Sequence, residues 1–478
     1  MNHGNSDLNS RGDEPPGTSP AVEEWKLMRY AKLKRQWLLR GWTDEPRTIL
    51  NWLNGDCRQL SEAMFLTAQA CDGQTDFDYI DNYLQRNVLL NKLIAAGIAQ
   101  ECAAGDEIEP CQTYRKADNP YIRSVHWAIT GRCNLKCRHC YMESPDGRYG
   151  ELPLTDVLRI IEQLRDANVH QVELTGGEPF LRPDLPAILA ALASHRIAVR
   201  QIYSNGVLIT RAVLQEIKGL EFQPRFQISF DGCGTHDAMR GLAGTEHATV
   251  AAIRLLRKMD FPVVVATSID KSNIGALPAT YELMKDLAIQ SWRVGPPQEI
   301  GNWRHTSTGL TWDDMLSACT AVTARWSADD TPFHLQMPGY RSAREGDDEF
   351  RFDPDSYDCT SCRLDMSILP DGTGIPCPAY TDTPVYDQMP NLLRQPFSTV
   401  WSDSALRQII DIKKNAVLAR NSECAACAEF GRCGGGCRAM AVASTGDLMA
   451  VDPQICDMYK SRFSQRFAAL AGLPVKPD

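Results

Sequence analysis

The sequence predicts an α/β fold built on an open, six-unit parallel (β/α) barrel, preceded by a small α+β domain and followed by a cysteine-rich region. Three observations lead there. From Ser124 onward, short apolar runs alternate with helical patterns until six strands are counted, the rhythm of βαβ units in a parallel sheet. The residues of chemical interest follow the C-terminal ends of those runs, the rim where such barrels collect function. The chain has 17 cysteines, and most fall into ordered sets.

A chain of 478 residues is long for one core, so about two to four domains are expected. Apolar content of 43% and charged content of 23% suit a globular protein in water. The net charge of −10 argues against a nucleic-acid partner. No apolar run reaches the length that spans a bilayer, and the N-terminus lacks the basic start and apolar core of a signal peptide. These features predict a cytoplasmic protein with no membrane partner. Disulfides are rare in that compartment, so the cysteines point to metal binding or catalysis.

Residues 1–22, rich in Gly, Pro, Ser and Asn, read as a disordered tail. Residues 23–39 read as a basic amphipathic helix, or a helix leading into a strand. Apolar stretches follow at 48–53 and 64–70. A helical pattern then runs through Ile80, Leu84, Val88, Leu89, Leu93 and Ile94 and closes at Gly97. Residues 23–118 are thus expected to form the α+β domain. The barrel is expected over 119–298, with strands at 125–130, 171–174, 199–203, 225–230, 263–268 and 292–294. A bridging region at 299–356 and a cysteine-rich domain at 357–478 complete the chain.

The first strand leads into Gly131-Arg-Cys-Asn-Leu-Lys-Cys-Arg-His-Cys-Tyr141. At this spacing Cys133, Cys137 and Cys140 can hold three irons of a [4Fe–4S] cube and leave the fourth open. They can also be half of a zinc site, with His139 as a fourth ligand. Gly176-Gly177-Glu178-Pro179 follows the second strand. Its glycines permit close backbone approach, and Glu178 can accept a hydrogen bond from an ammonium group. Alone, the tetrapeptide would be an ordinary strand-to-helix turn. Ser204 and Asn205 follow the third strand, and Ser229, Asp231 and Cys233 cluster at the end of the fourth, with Asp237, Arg240 and Gly241 beyond. Further on stand Cys359, Cys362, Gly372 and Cys377, then Cys424-x2-Cys427-x5-Cys433-x3-Cys437, and finally Cys456. The tetrad Cys424, Cys427, Cys433 and Cys437 taken alone would read as a zinc knuckle.

The first cysteine run resembles that of the radical SAM enzymes, with His139 where an aromatic residue usually stands and Tyr141 next to it. The resemblance implies a partial (β/α)6 radical SAM barrel whose open cluster corner is chelated by S-adenosyl-L-methionine. Reductive cleavage of that molecule would yield a 5′-deoxyadenosyl radical that abstracts hydrogen from a substrate carbon. It also implies that Gly176, Gly177, Glu178 and Pro179 hold the methionine amine. Ser204, Asn205, Ser229 and Asp231 match polar positions that contact the ribose or carboxylate, Arg240 lies near the carboxylate, and Tyr141 belongs to the cofactor site. The downstream cysteines resemble the SPASM signature, which implies two auxiliary clusters with interleaved ligands. Cys359, Cys362, Cys377 and Cys437 would hold one, and Cys424, Cys427, Cys433 and Cys456 the other, making three [4Fe–4S] clusters with the SAM-binding one. An electron donor such as flavodoxin or ferredoxin is implied.

Residues 23–118 resemble, in pattern and position, a winged helix that recognises leader peptides. This implies a ribosomally made precursor peptide bound as an added strand, with the bond formed (thioether, carbon–carbon, ether, epimer or excision) left open. Cys233 is a candidate hydrogen-atom donor for epimerisation. Two other readings stand: a related enzyme acting on a folded protein, as sulfatase maturases do, or on a small molecule; and a non-enzymatic zinc or electron-transfer protein.

Overall fold

The computed structural model describes residues 28–79, 86–119, 122–145, 147–304, 306–338, 340–341, 352–359 and 361–471. The expected tail at 1–22, the start of the helix expected over 23–39, and Ile80 and Leu84 lie outside the described residues.

Where that helix was expected, the described residues form two strands, β1 (Tyr30–Leu33) and β2 (Trp37–Gly41). Tertiary burial overrides the helical pattern, because β2 is buried along its whole length and needs apolar residues on both faces. Antiparallel β3 (Thr48–Asn51) and β4 (Cys57–Gln59) extend the sheet. Helices α1 (Glu62–Gln69) and α2 (Arg86–Ala95) follow. Strand β5 (Ala99–Cys102) pairs with β1, and β6 (Arg115–Lys116) lies parallel to β2, giving the order β4-β3-β2-β6. One sheet face carries Trp37, Leu39 and Ile49 into a core with Phe65 and Leu90. The other sends Leu38 and Leu50, with nearby Trp52, into the core of the barrel.

The barrel is a run of parallel strands: β7 (Ser124–Ala128), β8 (Gln171–Thr175), β9 (Ala198–Ser204), β10 (Arg225–Ser229), β11 (Val263–Ser268) and β12 (Ser291–Gly295). Crossover helices α3 (Leu154–Asp166), α4 (Leu185–Ser194), α5 (Arg211–Gly219), α6 (His236–Arg240), α7 (Thr245–Lys258) and α8 (Leu277–Asp286) cover its outside. Phe226, Ile228, Val265 and Trp292 face those helices and are fully buried. Alternate positions, among them Glu173, Tyr203, Gln227 and Arg293, face the concave side.

The sheet does not stop at six strands. Helix α9 (Trp312–Ala328), started by a Thr311–Asp314 capping box, leads to β13 (His334–Met337), which runs parallel to β12 and carries the short antiparallel β14 (Tyr340–Arg341). At the opposite edge β15 (Asp365–Ile368) pairs in parallel with β7 and carries β16 (Gly374–Ile375). The expected bridge at 299–356 is therefore partly a further βαβ unit, and the cysteine-rich region shares the barrel's sheet.

Asn168 joins the N-terminal domain to the barrel. Its backbone is left-handed at φ 55°. Its amide donates to the carbonyls of Gly41 (3.0 Å) and Arg115 (2.9 Å), while its oxygen accepts from Arg115 Nε at 2.7 Å. Asn168→Ala strands these buried partners and is expected to lower the unfolding free energy by about 2–4 kcal/mol, measured by urea denaturation.

Candidate active site and cysteine clusters

The loop that leaves β7 is clasped by the turn that leaves β8. The Gly177 N–H donates to the Thr130 carbonyl at 2.7 Å and the Glu178 N–H to the Arg132 carbonyl at 2.9 Å. A Cβ on Gly176 would run into the Thr130 carbonyl, and one on Gly177 into that of Arg132. Glycine is thus required by the approach of the cysteine loop itself.

Glu178 is fully buried. Its Oε1 accepts from Ser204 Oγ (2.9 Å) and the Phe180 N–H (3.2 Å), and its Oε2 from the Asn205 N–H at 2.8 Å. Burial pushes its pKa up to about 7, against these three hydrogen bonds, which favour the ionised form. Of a carboxylate's roughly four acceptor directions, one on Oε2 remains for a donor such as an ammonium group. Ser204 and Asn205 thus tie the third strand's loop to Glu178, and Asn205 Nδ2 also donates to Asn134 Oδ1 at 2.8 Å and lies 3.9 Å from Cys133 Sγ.

On the opposite side stands Asp231, fully buried, with Arg240 Nε at 2.8 Å and His139 Nε2 at 3.7 Å from its Oδ2. Burial alone would raise the Asp231 pKa, but Arg240, His139, His236 and the Ser268 N–H together hold the carboxyl below its usual range. His139 is turned to this carboxylate, and burial lowers its pKa to about 4, so it is neutral. Its orientation explains why a histidine serves where an aromatic is usual: it packs in the core and meets a carboxylate. Asp237, by contrast, accepts from the Gly244 and Glu246 N–H groups at 2.6 and 2.7 Å and so shapes the start of α7. Ser229 sits on the concave side at the end of β10. Tyr141 is packed against the barrel core beside Gly301. Just past the end of β10, the Cys233 N–H donates to Thr280 Oγ1 at 3.1 Å, and its thiol meets the same residue on α8.

The sulfurs of the first set receive donors from this frame. Arg240 Nη1 lies 3.6 Å from Cys137 Sγ, the Ser144 N–H 3.3 Å from Cys140 Sγ, and the Leu135 N–H 3.5 Å from Cys133 Sγ. Donors of this kind stabilise thiolates and tune a cluster held by them. Among the described residues no three His, Cys, Asp or Glu side chains converge on a single-ion site.

The downstream cysteines divide into two groups. Cys362 and Cys377 each feel Cys359, Cys362 also feels Cys377, and Cys377 and Cys437 interact. Cys424 instead feels Cys433, Cys456 and Cys427, and Cys433 feels Cys456 and Cys427. The tetrad that would make a zinc knuckle is thus split, with Cys437 in one group and Cys456 in the other. Three successive left-handed glycines, Gly434 to Gly436, turn the chain between the groups. The Gly435 N–H lies 3.3 Å from Cys433 Sγ. Cys437 is the N-cap of the helix Arg438–Thr445, and the nearby Ala439 and Met440 N–H groups favour its thiolate against burial. Each group could hold one four-iron cluster.

Several residues that position these sites carry no motif. Asp452 receives the Cys437 N–H at 2.9 Å and caps the helix that bears Cys456. Arg438, almost fully buried, pairs with Asp358 at 3.0 Å and reaches the carbonyls of Leu448 and Ala450. Asn302 donates its N–H to the Cys140 carbonyl at 3.0 Å and its amide to that of Cys137 at 3.3 Å. The turn bearing Asn302 is held by Asp382, five residues beyond Cys377. Asp382 Oδ2 accepts from the Gly301 N–H at 2.6 Å, and Oδ1 meets Arg148 at 2.7 Å and Arg304. The sequence offers no sign of this role, because the arginines that Asp382 meets lie far from it along the chain. Asp382→Ala is expected to speed amide exchange over 299–304 and to lower the unfolding free energy by about 1–3 kcal/mol, read by mass spectrometry and denaturation.

The sequence pattern of the Radical SAM superfamily matches residues 127–284, and that of SPASM, an iron–sulfur cluster-binding domain, matches residues 359–428. An AdoMet-dependent heme synthase of Methanosarcina barkeri is 27% identical over 348 residues, covering 69% of this chain and 95% of that protein. A PqqA peptide cyclase of Granulibacter bethesdensis is 27% identical over 367 residues, covering 73% of this chain and 91% of that protein. The structure of Streptococcus suis SuiB bound to precursor peptide SuiA superposes with TM-score 0.65 at 16% identity, covering 90% of this chain and 100% of that chain; at that identity the likeness shows the fold. The two domains imply S-adenosylmethionine and a [4Fe–4S] cluster in the first and auxiliary iron–sulfur clusters in the second. No helix among the described residues is long and apolar enough to cross a membrane. The chain carries a radical SAM domain over residues 127–284 and, after it, a SPASM domain over residues 359–428.

Proposed function

We propose that the enzyme matures a ribosomally made precursor peptide, gripping the leader with its N-terminal domain while the core segment enters the barrel. The observation that carries this reading is the open edge of the small sheet. Among the described residues strand β4 pairs only with β3, in the order β4-β3-β2-β6, which leaves one side of Cys57–Gln59 able to accept another strand. After β4 the chain forms a groove of about 320 Å³ between α1 and α2, lined by Glu62, Ala63, Leu66, Arg86 and Leu89. Leu66 is exposed there at 40%, apolar surface suited to a partner's side chains. The SuiB fold covers too much of the chain to leave out this domain.

In this reading Cys133, Cys137 and Cys140 hold the cluster that binds S-adenosylmethionine. Cys359, Cys362, Cys377 and Cys437 hold the first auxiliary cluster, and Cys424, Cys427, Cys433 and Cys456 the second. Bound at the open corner, the cofactor supplies a carbon radical that takes hydrogen from an unactivated carbon. The protein's part is to fix the reactants. Glu178 offers its remaining acceptor site to the methionine ammonium, and Asp231 keeps Arg240 aimed at Cys137. Arg240, Ser204, Asn205 and Ser229 line the path to the ribose and carboxylate. A flavodoxin or ferredoxin would deliver electrons, and the cytoplasm suits that chemistry. A second reading, action on a small molecule, is favoured by the heme-synthase relative.

A short precursor peptide encoded beside this gene is expected to bind the full chain through its leader, and Leu66→Asp to weaken binding about tenfold, about 1.4 kcal/mol, without changing 5′-deoxyadenosine formation in the absence of peptide. Equal binding by the variant, or no binding at all, would favour the small-molecule reading. Cys437→Ser and Cys456→Ser are each expected to lower bound iron and the matching visible absorbance; a zinc knuckle would leave Cys456→Ser unchanged.

A further inference from the structure

The concave face of the sheet carries charge that the cofactor site leaves unused. Arg225 and Gln227 alternate along β10, and Arg293 stands on β12. Arg225 Nε donates to Gln201 Oε1 at 2.7 Å, Gln201 Nε2 lies 3.3 Å from Gln227 Oε1, and Arg293 Nη1 donates to the same oxygen at 3.1 Å. Neutral amides thus link two guanidiniums. Arg293 Nε is buried with no partner. Among the described residues neither arginine has a carboxylate within ion-pairing distance.

The other titratable groups on this face do not balance them. Glu173 accepts the Tyr203 hydroxyl at 2.7 Å and lies 3.8 Å from Arg200. Asp365, beside it, has its pKa raised by burial and by Glu173, and burial keeps His126 neutral. Burial and the neighbouring Arg200 and Arg293 press the Arg225 pKa down, although Glu173 opposes them. Three arginines therefore face two carboxylates. A partly buried cation without a counter-ion is costly and marks a place where an anion is expected. Arg293 is level with Ala266, which is level with Ser229, and Gly295 follows toward the rim. Small residues thus separate the guanidinium from the cofactor side.

We propose that Arg293, steadied by Gln227 and backed by Arg225, receives a carboxylate of the substrate, so that the residue offered to the radical bears an acidic side chain or is a chain terminus. The inference rests on the peptide-maturation reading and narrows its substrate class. It is tested on the full, iron-loaded chain with S-adenosylmethionine, using three probes followed by saturation-transfer NMR: acetyl-Ala-Glu-Ala-amide, acetyl-Ala-Gln-Ala-amide and acetyl-Ala-Ala-Ala with a free C-terminus. The glutamate probe or the free-terminus probe is expected to bind about tenfold tighter than the glutamine probe; which of the two does so identifies the source of the carboxylate. R293Q is expected to abolish the preference and leave S-adenosylmethionine binding unchanged. Equal binding of all three probes, binding of none, or an R293Q loss of S-adenosylmethionine binding as large as the loss for the probe overturns the proposal. Leader binding measured on the same preparation tells that failure apart from failure of the peptide reading.

Discussion

The rest of the site depends on a short backbone clasp between two loops. The Gly177 and Glu178 N–H groups hold the Thr130 and Arg132 carbonyls, and this contact brings the end of β7 against the end of β8 just where Cys133 begins. No side chain can occupy the space between the two segments. Because the clasp ends in Glu178, the same turn that fixes the cysteine loop also carries a buried carboxylate into the site and gathers Ser204 and Asn205 around it. Three strands thus meet at one acid, and its remaining acceptor direction is set by what the other loops have already taken.

A second support is electrostatic. Asp231 holds Arg240 on one side and meets His139 on the other, so the fourth strand grips the same cysteine loop through Cys137 and through the ring that follows it. In a low-dielectric setting such a pair is strong, and removing one member would leave the other buried and uncompensated. The SPASM region adds a third grip. Asp382 reaches back to the turn at Gly301, which in turn holds the Cys137 and Cys140 carbonyls. The auxiliary cysteines and the catalytic loop are therefore one mechanical unit, joined by a shared sheet through β15 and by this carboxylate.

Much of the barrel could be read from the sequence because its information is local. Period-two apolar runs, glycine-rich turns and cysteine spacings sit within a few residues of one another, and the parallel order follows from the short crossovers between them. The strands at 30–41 were missed because Leu38 and Leu39 are apolar for two partners, a helical layer and the barrel, and double-sided burial erases the alternation that marks a strand. The extra strands β13 and β15 were missed for a related reason. They are only four residues long and gain their stability from an edge that the other strands supply.

The sequence by itself determined the chemistry the chain can host: three spaced thiolates after a first strand, a Gly-Gly-Glu-Pro turn after a second, and eight further cysteines. Only the tertiary structure decided that His139 meets Asp231 and that Cys233 turns to Thr280. It alone showed that Asp382 and Asn302 hold the cysteine loop and that, among the described residues, no carboxylate pairs with Arg293 on the concave face. These are contacts between residues tens to hundreds of positions apart. Spacing along the chain carries no record of them, because burial and hydrogen bonding are settled only when the loops close on one another.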